Sequence, residues 1–151
     1  MADPVFAFTD DLAHVGQMWL TDGASAALGI EACFVEVVDG PRETRLGRAV
    51  TRMTIDDRMV NGHGTCHGGY LFTLADSTFA LACNASGRLT VAAGCDIDYL
   101  EPARLGDVLR AEGAERLVRG RSGITDVTLI RESDGVVVAE FRGRSRSLPP
   151  R

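Results

Sequence analysis

A chain of 151 residues, 45% hydrophobic and 25% charged, is the size of one domain and long enough for a hydrophobic core. Its net charge of -5 and pI near 5.1 argue against nucleic-acid binding, which needs a clustered basic surface. All sixteen basic residues are arginine, which excludes lysine Schiff-base and P-loop chemistry and favours planar, bidentate contacts to any anion.

Residues 8 to 28 open with Thr9 and Asp10 as candidate N-caps and place Leu12, Val15, Met18 and Trp19 on one helical face. An N-terminal helical segment within residues 1–29 follows, breaking near Gly23. "IEACFVEVV" (30–38) is strand-like, "DGPRE" is a turn, and "TRLGRAVTRMTI" (44–55) alternates Leu46, Arg48, Val50 and Arg52 against Gly47, Ala49, Thr51 and Met53. Together these predict a hairpin.

A polar loop over 56–67 leads into a central helix over 68–84 that stops at "NASG", where Gly87 suits a left-handed cap. Strand candidates then run over 89–100, 107–119, 123–132 and 136–146, separated by Pro102 and Gly106 and by "GRS" and "SDG" turns. One long helix among antiparallel strands implies an α+β layer in which the sheet wraps or covers the helix. Apolar side chains all around "YLFTLADSTFALAC" predict a helix buried on every side.

Cys33, Cys66, Cys83 and Cys95 show no C-x-x-C spacing, so reduced thiols are expected. The acidic N-terminus lacks a basic leader region and no apolar run reaches ~18 residues, so neither export nor membrane spanning is expected. The cytoplasm is the expected compartment.

Asp76 lies two turns inside the helix, too deep for an N-cap, and no basic residue sits three or four positions away. Burying an unpaired carboxylate costs several kcal/mol. Either it lines a wet surface or an interface and bonds to a hydroxyl such as Ser77 or Thr78, or it is kept for chemistry with a raised pKa. Gly68 and Gly69 leave amides open at the helix N-terminus, where the dipole favours negative charge, as in an oxyanion hole; a plain loop-to-helix turn would also use them. Gly68 and Asp76 stand eight residues apart, ~12 Å along a helix, whereas one carbonyl must lie ~3 Å from both its oxyanion donor and its attacking group. If both are catalytic, two antiparallel subunits must supply one each, which predicts an obligate homodimer with composite sites.

His67 could fix the loop or act as a general base. With His63 and Cys66 it could also begin a metal site, but zinc takes three or four ligands and no second cluster is evident, so no metal is expected. Asn61 carries an amide able to orient water or a carbonyl, and is equally a turn residue in "NG". No G-x-S-x-G elbow is present, which argues against a serine hydrolase.

"MVNGHGTCHGGYLFTLADSTFALACN" (59–84), with "AAGCDIDYLEPARLGD" (92–107) and, more weakly, "VAEFRGRSR" (138–146), resembles the PaaI-type acyl-CoA thioesterases of the hotdog-fold superfamily. The resemblance implies five or six antiparallel strands around the central helix, a dimer and often a tetramer. It also implies thioester hydrolysis without a metal or cofactor, coenzyme A being part of the substrate. Asp76 then corresponds to the general base or nucleophile, the Gly68 amide to the oxyanion donor, Asn61 to the group that orients water or carboxylate, and His67 to a supporting residue. The implied substrate is an aryl-acyl-CoA such as phenylacetyl-CoA or a ring-hydroxylated derivative. Some relatives place a Ser or Thr in the strand after the helix, where this chain has Gly94. Arg119, Arg121 and Ser122 fall at the turn where relatives meet the coenzyme A nucleotide, and could equally form a solvated basic turn. Two other functions share the pocket, an enoyl-CoA hydratase or dehydratase with His67 as base and a non-catalytic acyl-CoA-binding module.

Overall fold

Apolar alternation becomes strand, and apolar helical spacing becomes helix, within a residue or two of where the sequence predicts them. The computed structural model describes residues 7–149; the first six residues of the expected N-terminal segment and the last two of the chain lie outside them. A 3-10 turn at Asp10–Leu12 leads into α1 (Ala13–Leu20) and α2 (Gly23–Ala27). Then come β1 (Glu31–Asp39), β2 (Arg45–Thr54), α3 (Gly68–Asn84), β3 (Thr90–Tyr99), β4 (Val108–Arg119), β5 (Ser122–Arg131) and β6 (Val137–Ser147).

The N-terminal segment is two short helices rather than one. The chain breaks at Thr21 and Asp22, and Asp22 caps α2 by accepting from the Ser25 amide at 2.9 Å. Thr9 bonds to the Asp11 carboxylate and caps no amide. Leu12 and Val15 point inward, and His14 Nε2 lies 2.9 Å from the Asn84 carbonyl oxygen, tying α1 to the end of α3.

The strands form one antiparallel sheet in the order β1-β2-β4-β5-β6-β3, and α3 touches all six. This is the hotdog arrangement. The alternation in β2 decides which face meets α3: Gly47, Ala49, Thr51 and Met53 are buried. A Cβ at Gly47 would stand 1.7 Å from the Ala82 carbonyl oxygen, and one at Gly143 of β6 would stand 2.6 Å from the Phe79 ring. Only glycine lets sheet and helix approach this closely. Met53, Leu74, Phe79, Leu109, Val127 and Phe141 fill the space between them, so Phe79→Ala would cost roughly 3–5 kcal/mol. Leu12, Val15, Leu81 and Ala82 form a second cluster beneath α1.

Burial of α3 is incomplete, contrary to expectation. Exposed Gly69 and half-buried Thr73, Asp76 and Ala80 recur at helical spacing and form one open stripe. The sheet covers one side of the helix and α1 and α2 cover part of another, leaving this stripe between them.

Candidate active site

The loop before α3 is a tight turn built by Asn61. His67 N donates to the Met59 carbonyl at 2.8 Å and Asn61 N to that of Thr65 at 2.8 Å. The Asn61 Oδ1 accepts from His63 N at 2.9 Å and Thr65 N at 3.2 Å, while its Nδ2 donates to Thr65 Oγ1 at 3.0 Å. Within one chain, then, Asn61 shapes the loop, the plainer of its two readings.

His67 is the N-cap residue of α3 with extended backbone, and its exposed imidazole makes no hydrogen bond to any described residue. The amides of Gly68 and Gly69 likewise find no acceptor among the described residues. Tyr99 reaches across from β3, donating its hydroxyl to the Gly68 carbonyl at 2.9 Å. A Cβ at Gly68 would stand 2.8 Å from the Tyr99 ring, so glycine here lets the exposed ring lie against the first turn of α3. The first turn of α3 is thus braced on its carbonyl side and leaves its N–H groups free, as an oxyanion donor must.

Asp76 is half-buried and makes no hydrogen bond or ion pair with any described residue. Burial pushes its carboxyl up, and the Asp22 carboxylate pushes it further. Neither neighbouring hydroxyl satisfies it: Ser77 Oγ pairs with Ser25 Oγ at 2.7 Å, and Thr78 Oγ1 bonds to the Leu74 carbonyl and to Thr51 Oγ1, both at 2.8 Å. Eight residues of intact helix separate it from Gly68, so the ~12 Å offset holds.

Arg119 and Ser122 flank the β4–β5 turn, where Gly120 has φ of +59°. They line a groove of about 360 Å³ with Leu117, Ile124, Arg144 and Arg146, while Arg121 turns aside and donates to the Ser147 carbonyl at 2.9 Å. The sequence reading missed Arg144 and Arg146, although arginines at alternate positions of "FRGRSR" mark one strand face. Gly94 bears on the same groove, because a Cβ there would stand 2.9 Å from Arg144 Nη2; that guanidinium donates to Asp96 at 2.7 Å. Glycine at position 94 thus makes room for the Arg144 guanidinium.

Cys66 is buried, its thiol pushed up to about 11 by burial, whereas His63 and His67 face outward. No group of three or more His, Cys, Asp or Glu side chains able to hold a metal comes together among the described residues. The four cysteines are unpaired, and no helix among the described residues is long and apolar enough to cross a membrane.

Comparison with known proteins places this arrangement among relatives. The thioesterase superfamily model matches residues 63–138. The chain is 38% identical over 131 residues to the acyl-coenzyme A thioesterase PaaI of Escherichia coli K12, covering 87% of this chain and 86% of that protein. It superposes on the structure of the E. coli PaaI protein from the phenylacetic acid degradation operon with a TM-score of 0.80 at 36% identity, covering 91% of this chain and 96% of the other. A Streptococcus mutans UA159 protein bound to acetyl-CoA aligns with a TM-score of 0.66 at 25% identity, over 79% of this chain and 92% of that one.

Proposed function

The chain belongs to the thioesterase superfamily as an acyl-CoA thioesterase of the PaaI type, and from that premise we propose that it hydrolyses an aryl-acyl-CoA, phenylacetyl-CoA or a ring-hydroxylated form, to the free acid and coenzyme A. The observation that carries the reading is Asp76, a half-buried carboxyl without a partner, in a chain whose free helix N-terminal amides lie two turns away. The aryl preference rests on the E. coli relative, whose structure is described as coming from a phenylacetic acid degradation operon.

Asp76 as carboxylate takes a proton from water while the water oxygen bonds to the thioester carbon. The carbonyl oxygen gathers negative charge and is held by the Gly68 amide. When the tetrahedral carbon collapses, the C–S bond breaks and the departing thiolate takes the proton back from Asp76. In the covalent variant Asp76 attacks the carbonyl carbon itself, the C–S bond breaks and coenzyme A leaves as the thiolate, and water then cleaves the anhydride to the free acid and the Asp76 carboxylate. Single turnover in oxygen-18 water separates the two, since label enters Asp76 only by the anhydride route.

The ~12 Å helix offset supports a site in which Asp76 of one subunit meets the Gly68 amide of a second copy. The open stripe on α3 and the edge strand β3, paired on one side only, support such a dimer. The reading extends to a cytoplasmic tetramer built from two such dimers, whose mass light scattering measures, and it requires no cofactor. Arg119, Ser122, Arg144 and Arg146 offer the nucleotide phosphates a groove with several guanidinium groups. A panel of aryl- and fatty-acyl-CoA esters ranked by kcat/KM tests the substrate class; a preference for long fatty chains would overturn it.

A further inference from the structure

The Asp22 carboxylate stands at the start of a buried hydrogen-bond chain that ends beside the reacting acid. Its Oδ1 accepts from the Ser25 amide at 2.9 Å, and its Oδ2 accepts from the Ser25 hydroxyl at 2.6 Å. The Ser25 Oγ lies 2.7 Å from Ser77 Oγ, with Ser25 and Ser77 only 1% and 7% exposed. Each hydroxyl has one proton. Ser25 gives its proton to Asp22, so Ser77 must give its own to Ser25, and the negative charge of Asp22 sets the direction of the whole chain. Ser77 directly follows Asp76 on α3.

We propose that Asp22 is a positioning residue for Asp76: through Ser25 and Ser77 it clamps α2 onto the catalytic helix, and it holds a second negative charge beside the reacting carboxyl. The inference rests on the assignment of Asp76 as the reacting group.

The ionisable groups that face Asp76 are Asp22 from α2, Cys95 from β3 and Cys83 on α3 itself. Burial pushes both thiols up, that of Cys83 to about 12, so they stay neutral near pH 7. Cys95 also feels Arg144 and Asp96, and Cys83 feels Glu115 and Arg88, so those charges are turned towards the cysteines. The charge that Asp76 meets is Asp22. Like charges disfavour ionisation, so Asp22 keeps Asp76 protonated to higher pH than burial alone would. Asp76 as carboxylate is thereby a stronger base towards the attacking water.

Asp22→Asn keeps the cap and the shape and removes the charge; Asp22→Ser does the same in a smaller form, should the first variant fold poorly. The carboxyl carbon of Asp76, assigned by its loss in Asp76→Asn, is titrated by carbon-13 NMR in the wild type and in each variant. The expected result is a shift of the Asp76 midpoint to lower pH, matched by a shift of the acid limb of kcat/KM in the same direction. An unchanged midpoint in a folded variant overturns the proposal. Wild-type-like hydrolysis of phenylacetyl-CoA by a folded Asp76→Asn, measured alongside, overturns Asp76 as the reacting group whatever the Asp22 variants show, so the two readings fail separately.

Discussion

Asp76 and Glu115 are both acids withdrawn from water, and the fold treats them in opposite ways. Glu115 sits on β4 near the C-terminal end of α3, only 4% exposed, where the Gly47 amide donates to it at 3.2 Å and the Arg88 guanidinium lies 3.7 Å away. Burial raises its carboxyl to about 7, while Gly47 and Arg88 pull against that rise. Asp76 has no donor or cation, and the charge it meets is another carboxylate. A buried acid that serves packing is given partners, because an unsatisfied one costs several kcal/mol. An acid left without them fits the proposed role of Asp76 as the reacting group, and that difference separates the two acids.

The contrast is tested most severely by removing the acid on each side. Asp76→Asn should lower kcat by ~10²–10⁴-fold, the span that a positioned acid or base contributes, and leave the oligomer mass by light scattering unchanged. Next in size is Gly68→Ala. Its methyl group would push the exposed Tyr99 ring aside and loosen the hydrogen bond that braces the first turn of α3, and if the amide proposed as oxyanion donor shifts with that turn, a misplacement of about 1 Å can cost ~10²-fold in turnover. Steady-state kcat measures this loss; retained turnover would place the oxyanion donor elsewhere.

Smaller effects follow at the groove and at Glu115. Removing Arg119 or Arg144 takes one charged contact from a bound anion, worth about 1.5–3 kcal/mol, so KM for the CoA ester should rise ~10-fold or more. The rise in KM should exceed any fall in kcat, and it should be weaker for a substrate truncated to the pantetheine thioester. Glu115 has a folded pKa of about 7 against an ordinary value of 4.5, so the unfolded chain sheds this proton first. Stability is then lost as pH rises between those values. Thermal melts at about pH 5 and about pH 8 should show a falling Tm in the wild type and a flatter response in Glu115→Gln.

Much of the framework was legible in the sequence because it is local. Two-residue alternation marks strands within a residue or two of their observed ends, and "GRS" and "SDG" fall at hairpin turns. The open stripe on α3 was not legible, since Tyr70, Phe72 and Phe79 place apolar groups all around the helix while Gly69, Thr73 and Ala80 are small enough to leave one side bare. Asp76 stood out because a charge inside an apolar helix is anomalous on its own. Asp22 did not, because an acid before "GAS" is an ordinary cap and its link to Ser77 joins residues far apart in the chain. Arg144 and Arg146 gain meaning from a groove they share with Arg119, across strands whose order no periodicity encodes.

In the proposed dimer each active site takes Asp76 from one subunit and the Gly68 amide from its partner. Asp76→Asn and Gly68→Ala chains, each nearly inactive alone, can be co-expressed so that their subunits mix at random. Half of the resulting dimers are hybrids, and each hybrid holds one site with both groups intact, so activity should return to about a quarter of the wild-type value in a two-fold symmetric dimer. If both groups act within a single chain, no mixture contains an intact site, and activity that stays at the level of the separate variants would contradict the account.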